Sequence, residues 1–170
     1  MEHALALRPA GPEDIAFLFR VYASTRTEEL APVPWSDEQK RAFLAMQFDV
    51  QDRYYREQFP GAVFQVILLD GRPAGRLYVD HRDEELRIID IALLPEHRGA
   101  GVGGTLLHGL LDEATQAGKP VRIHVERFNP ALRLYARLGF QRVGDTGVYF
   151  LLERSPARLR GTASAPPSEG

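Results

Sequence analysis

The stretch Leu86–Ala117, LRIIDIALLPEHRGAGVGGTLLHGLLDEATQA, decides how this chain folds. An apolar run leads to Pro95, a charged turn follows at Glu96-His97-Arg98, and Gly99-Ala100-Gly101-Val102-Gly103-Gly104 opens into an amphipathic helix. Glycines at a helix start leave backbone N–H groups pointing outward with no side chain in the way. The helix dipole adds partial positive charge there, and Arg98 adds a full one. Such a turn suits a pyrophosphate.

Upstream of this stretch, Ala4–Arg8 reads as a short strand. Pro12-Glu13-Asp14 reads as the start of a helix with Ile15, Leu18, Phe19 and Tyr22 on its apolar stripe. Ser36-Asp37-Glu38-Gln39 has the spacing of a capping box, so a second helix is predicted from there to about Glu57, with Phe43, Met46, Val50 and Tyr54 on one face. Past Pro60-Gly61 the period becomes that of strands. Ala62–Leu69, a turn at Asp70-Gly71-Arg72-Pro73, Arg76–Asp80 and Glu85–Leu94 form an antiparallel meander.

Downstream, the glycine-led helix carries Val102, Leu106, Leu110 and Ala114 on one face and ends at Gly118-Lys119-Pro120. Val121–Glu126 should then lie parallel to the strand before the glycine turn. Asn129-Pro130 signals another helix, with Gly139 as its terminator. A hairpin around Asp145-Thr146-Gly147 closes the pattern. Residues 1–154 thus read as one α/β (α+β) domain: about seven mostly antiparallel strands with four helices. Residues 155–170, rich in Pro, Ser, Ala and Gly, read as a disordered tail.

With 170 residues and 44% hydrophobic content, the chain has material for a core. A net charge of −2 gives no general attraction to nucleic acid or acidic membranes. There are no cysteines, and the five histidines lack metal-ligand spacing on one helix face, so no metal is expected. Nothing resembles a signal peptide or a spanning segment, which makes a cytoplasmic protein the expectation.

Gly99-x-Gly101-x-x-Gly104 also satisfies the dinucleotide fingerprint, with Glu126 placed as a ribose-binding acid. A dinucleotide fold, however, repeats its β-α-β unit. This chain has one crossover preceded by antiparallel strands, and a four-residue charged turn stands where the dinucleotide turn is tight. A glycine turn of purely structural purpose is the other alternative.

Arg98-Gly99-Ala100-Gly101-Val102-Gly103, approached through Ile91-Ala92-Leu93-Leu94-Pro95, resembles the central motif of the GNAT superfamily of N-acetyltransferases. Asn129-Pro130-Ala131 through Leu134-Tyr135-Ala136-Arg137-Leu138-Gly139-Phe140 resembles its second conserved segment. The order of elements agrees from about Leu5 to Glu153. The resemblance implies acetyl-CoA as co-substrate and a sheet splayed between its two central parallel strands. The backbone of Ile91, Ala92 and Leu93 would pair with the pantetheine arm, and the amides of Gly99, Ala100, Gly101, Val102, Gly103, Gly104 and Thr105 would hold the diphosphate beside Arg98.

By the same resemblance Asn129 contacts the pantetheine arm, although an N-cap role accounts for it equally. Tyr135 is the candidate general acid toward the departing thiolate, or else a core aromatic. Strand alternation puts Asp90 on the acceptor side of its strand and Arg122, His124 and Glu126 on one face of theirs. Asp90, His124 and Glu126 are therefore candidate bases, with salt-bridged or solvated roles as the alternative. The acceptor pocket is expected to draw on Glu28, Trp35, Gln47, Gln51 and Tyr54. The implied activity is transfer of an acetyl group to a primary amine by direct attack, in a monomer or homodimer. A non-catalytic acyl-CoA-binding module is the alternative.

Overall fold

The computed structural model describes residues 4–156. Of the tail expected from Ser155, everything beyond Pro156 lies outside the described residues. Contacts within the chain cluster into two compact units. The first holds the chain up to His81 together with Ile88–Gly103; the second holds Arg82–Arg87 and the chain from Gly104 onward.

The first unit contains β1 (Leu5–Pro9), a 3-10 turn (Pro12–Asp14), α1 (Ile15–Ser24), α2 (Thr27–Leu30), α3 (Asp37–Gln58), β2 (Val63–Leu69), β3 (Arg72–His81) and most of β4 (Leu86–Leu93). Its strand order is β1-β2-β3-β4. The β2–β3 turn is tighter than the sequence suggests. Asp70 (φ 52°) and Gly71 (φ 80°) supply the two positive φ values of a type I′ turn, and Leu69 already pairs with Arg72. Pro73 is accommodated inside β3 because the register shifts between Ile67 and Leu68.

Helix entry follows local chemistry. The Ser36 side chain accepts from the Gln39 N–H at 3.1 Å, and the Gln39 side chain accepts from the Ser36 N–H at 2.9 Å. Before α1, the Asp14 carboxylate accepts from Arg8 at 2.8 Å and from the Gly11 N–H at 2.8 Å. The Arg8 bond, with the amide bond second, holds its pKa down at about 2.

Which faces are buried departs from the sequence reading. On α1 the buried residues are Leu18, Val21 and Tyr22, while Ile15 is exposed. On α3 they are Leu44 and Phe48, which join Leu18, Tyr22 and Val66 in one core cluster. The apolar face read from the sequence is largely outward: Met46, Val50 and Tyr54 are 53%, 57% and 56% exposed. The four-residue α2 was not anticipated either, so the described residues hold five helices rather than four.

The second unit contains α4 (Val102–Ala117) beyond its first two residues, β5 (Val121–Glu126), α5 (Leu132–Arg137), β6 (Gln141–Asp145) and β7 (Tyr149–Arg154). The opening of β4 runs beside β5 as the parallel pair, with the Leu86 N–H donating to the Pro120 carbonyl at 2.9 Å. Beyond β5 the order is β7 then β6, and both pairings are antiparallel. Alternation on β5 is as expected: Val121, Ile123 and Val125 are buried. On α4 the buried seam is Val102, Leu106, Leu107, Leu111 and Ala114; Leu110 is only half-buried.

Gly139 (φ 96°) ends α5 in a Schellman motif. The Phe140 N–H donates to the Tyr135 carbonyl at 3.0 Å and the Gly139 N–H to that of Ala136 at 3.1 Å. The accompanying apolar contact is the edge-on pair Tyr135–Phe140, with ring centroids 5.4 Å apart. Gly139→Ala forces an L-residue into the left-handed region. It is expected to lower stability by about 1 kcal/mol, read in thermal unfolding as a drop of about 2–4 °C in Tm.

Candidate active site

In the first unit, β4 delivers the chain to the glycine turn. Leu86 and Ile88 are fully buried, but Ile91, Ala92 and Leu93 at its far end are only half-buried. The Leu94 N–H donates to the Ala74 carbonyl at 2.9 Å. The next residue of β3, Gly75, lets the two backbones approach closely: a Cβ there would stand 2.2 Å from the Ala92 carbonyl oxygen. A single glycine inside a strand pattern is the sequence signal for this contact.

After a 3-10 turn at Pro95–His97, Gly99 and Gly101 take φ values of 80° and 84°. Cβ atoms built on Gly99, Gly101, Gly103 or Gly104 meet nothing within 4 Å. The space over the turn is therefore open because these residues lack side chains, and the α4 N-terminus lies at its end. A diphosphate fits that description: the open face admits it, and the dipole of a 16-residue helix favours its charge. Arg98 reaches back to the end of β4 and to α1. Its Nε donates to the Leu93 carbonyl at 2.9 Å and its Nη2 to Ser24 Oγ at 3.2 Å.

Asp90 belongs to a buried network on the same strand. Its Oδ2 accepts from Arg76 Nη2 at 2.5 Å and from the Tyr55 hydroxyl at 3.4 Å, while Oδ1 has no partner among the described residues. The Arg76 side chain is only 3% exposed. Its guanidinium lies 5.1 Å from the Tyr78 ring centroid and 6.0 Å from that of Tyr22, and Nη2 also donates to Gln51 Oε1 at 2.9 Å. Sequence reasoning missed Arg76 and Tyr55, although an arginine and an aspartate on neighbouring strands were the clue.

Beside this network lies an open pocket of about 410 Å³ lined by Tyr22, Met46, Gln47, Val50, Gln51 and Tyr54. Three residues expected in the acceptor pocket, Gln47, Gln51 and Tyr54, are thus together. The other two are not in that lining: Trp35 packs edge-on against Phe43 at 5.2 Å, and Glu28 is exposed on α2.

In the second unit, Glu126 ends β5 half-buried, two residues beyond His124 on the same face. His124 Nδ1 contacts Arg87. Partial burial, and then the neighbouring Arg87 cation, lower its pKa and favour neutral imidazole. Arg122 is salt-bridged to Glu85 at 2.8 Å and to Glu153 at 3.0 Å. The Asn129 side chain accepts from the Ala131 N–H at 2.8 Å, and its carbonyl accepts from the Leu132 N–H at 3.1 Å. This is an Asx turn ahead of α5, whose N-cap is Ala131 rather than the expected Asn129. Tyr135 is 5% exposed.

The described residues thus combine a meander of strands, one crossover and an open, glycine-lined helix start after a half-buried strand end. The model of the acetyltransferase (GNAT) family matches residues 20–140, and the chain belongs to that family. A Bacillus subtilis (strain 168) protein, provisionally named [ribosomal protein bS18]-alanine N-acetyltransferase, is 27% identical over 157 residues, 88% of this chain and 89% of that protein. Streptothricin acetyltransferase of Streptomyces lavendulae is 32% identical over 106 residues, 59% of this chain and 56% of that protein. Among solved structures, the PaiA N-acetyltransferase from Thermoplasma acidophilum in complex with coenzyme A shares the fold. Its TM-score is 0.66 at 19% identity, over 89% of this chain and 99% of that one. The chain is an acetyl-CoA-dependent acyltransferase, with acetyl-CoA as its co-substrate. Among the described residues no helix is long and apolar enough to cross a membrane, and no group of three or more His, Asp or Glu could hold a metal ion.

Proposed function

We propose that this protein moves an acetyl group from acetyl-CoA to a primary amine, carried by a small molecule or by a protein, through direct attack of that amine. The observation that carries the reading is the open glycine turn at the start of α4, fed by the half-buried end of β4. Backbone amides of Gly99, Ala100, Gly101, Val102, Gly103, Gly104 and Thr105, with Arg98 beside them, hold the diphosphate. The backbone of Ile91, Ala92 and Leu93 pairs with the pantetheine arm as an added strand, and Asn129 contacts the same arm. The coenzyme supplies the activated acetyl thioester. The amine must be neutral when it attacks, and Asp90 or Glu126 takes up its proton. Tyr135 returns a proton to the departing sulfur. The chain contains no cysteine for a thioester acyl-enzyme, which supports the direct route.

Calorimetric titration with coenzyme A, followed by thiol release from acetyl-CoA with and without an alanyl peptide or another amine, tests the reading. Saturable coenzyme binding and amine-dependent thiol release are expected. Absence of coenzyme binding would overturn it.

A further inference from the structure

We infer that the cavity on α3 takes an amine whose neighbouring carbon bears a carbonyl-type oxygen, as in an amino acid or a peptide N-terminus, and disfavours polyamines. This rests on the acetyl-transfer reading and deepens it. The argument starts from Gln51. Arginine carries five N–H donors and no acceptor, so the bond from Arg76 fixes the Gln51 amide with Oε1 toward the arginine. Its Nε2 is left as a donor. Gln47 is oriented in the same sense, since its Oε1 accepts from the Tyr22 hydroxyl at 3.3 Å. Neither Nε2 makes a hydrogen bond among the described residues.

Gln47 and Gln51 are one turn apart on α3 and line the same cavity, so one helix face presents two amide donors. The other lining residues are Tyr22, Met46, Val50 and Tyr54, and none of the six is charged. A donor pair on an apolar wall recognises an oxygen acceptor attached to an apolar body. Behind that wall stands the buried Arg76 cation, which favours a carbonyl or carboxylate oxygen and opposes a second ammonium. Arg76 also clamps Asp90 through Oδ2, leaving Oδ1 for one ammonium. One positive group and one oxygen acceptor are the pattern of an α-amino carbonyl compound; a polyamine offers only the first.

The test compares phenylalaninamide, phenylalanine, phenethylamine and spermidine as acceptors for the full chain with acetyl-CoA, reading thiol release. Phenylalaninamide is expected to exceed phenethylamine and spermidine in kcat/KM by at least about tenfold, because the last two leave both amide donors unpaired. A preference for phenylalaninamide over phenylalanine marks a peptide N-terminus as the source, and the reverse marks a free amino acid. Gln51→Glu keeps an acceptor for Arg76 but replaces the donor with a carboxylate oxygen. It should raise KM for phenylalaninamide about tenfold, with coenzyme affinity unchanged. Gln47→Glu, which still accepts from Tyr22, should act in the same direction and guards against misfolding of the first variant. Equal turnover of spermidine or phenethylamine, or an unchanged amine ranking in both variants, would overturn the pocket assignment alone. Loss of coenzyme binding in the unmodified protein would instead remove the acetyl-transfer reading beneath it.

Discussion

Valine at Gly101 is expected to raise the dissociation constant for coenzyme A at least about 100-fold. Two effects act together. The φ of 84° is a region an L-residue enters at a cost of about 1–2 kcal/mol, and a β-branched side chain pays more. The new side chain also projects into space where a Cβ meets no atom within 4 Å, the space assigned to the diphosphate. Hydrogen bonds from amides to a charged phosphate contribute about 1.5–3 kcal/mol each. Displacing the diphosphate from one or two of them suffices for the stated loss, since 100-fold is about 2.7 kcal/mol. Gly147→Val is the control. Gly147 also has positive φ (94°) and open surroundings, but lies in the β6–β7 turn. It should show the backbone penalty in Tm and bind coenzyme normally. Equal coenzyme binding by the two variants would remove the glycine turn from the site.

Tyr135→Phe should lower kcat by about 100-fold or more, within the range for removal of a general acid, and leave coenzyme affinity within about twofold. The structure makes this substitution discriminating. The ring is buried and meets Phe140 edge-on at 5.4 Å, and both features survive in phenylalanine. The backbone bonds of the Schellman motif survive as well. A side chain present only for packing would therefore show unchanged kcat. Single-turnover measurement of thiol release, beside calorimetric titration with coenzyme A, separates the outcomes. Unchanged kcat would remove Tyr135 from the chemistry and leave it as a core aromatic.

What the sequence made legible was what short-range chemistry dictates. Ser36 and Gln39 cap α3, Asp70-Gly71 turns the hairpin, and Gly139 stops α5, each because a few neighbouring atoms decide the conformation. The glycine turn was readable for the same reason. The rotation of α3 was not. Its 22 residues carry apolar side chains on two stripes, Leu44 with Phe48 and Met46 with Val50 and Tyr54, and only the partner surface selects one. The ion pair of Arg76 and Asp90 left only a partial signal, two opposite charges on neighbouring strands, because strand register and the covering helix decide whether they meet. The same rotation that sent Met46, Val50 and Tyr54 outward turned Gln47 and Gln51 toward a cavity.

The placement of β7 between β5 and β6 has a consequence for biosynthesis. Both neighbours leave the ribosome before the strand that joins them, so this half of the molecule cannot close until Tyr149–Arg154 has emerged. Until then β5 presents a bare row of amides and carbonyls on the side β7 will cover, a template for pairing with other nascent chains. A stop codon or protease cut just ahead of Tyr149 would make that transient exposure permanent, and the truncated product should accumulate as aggregate.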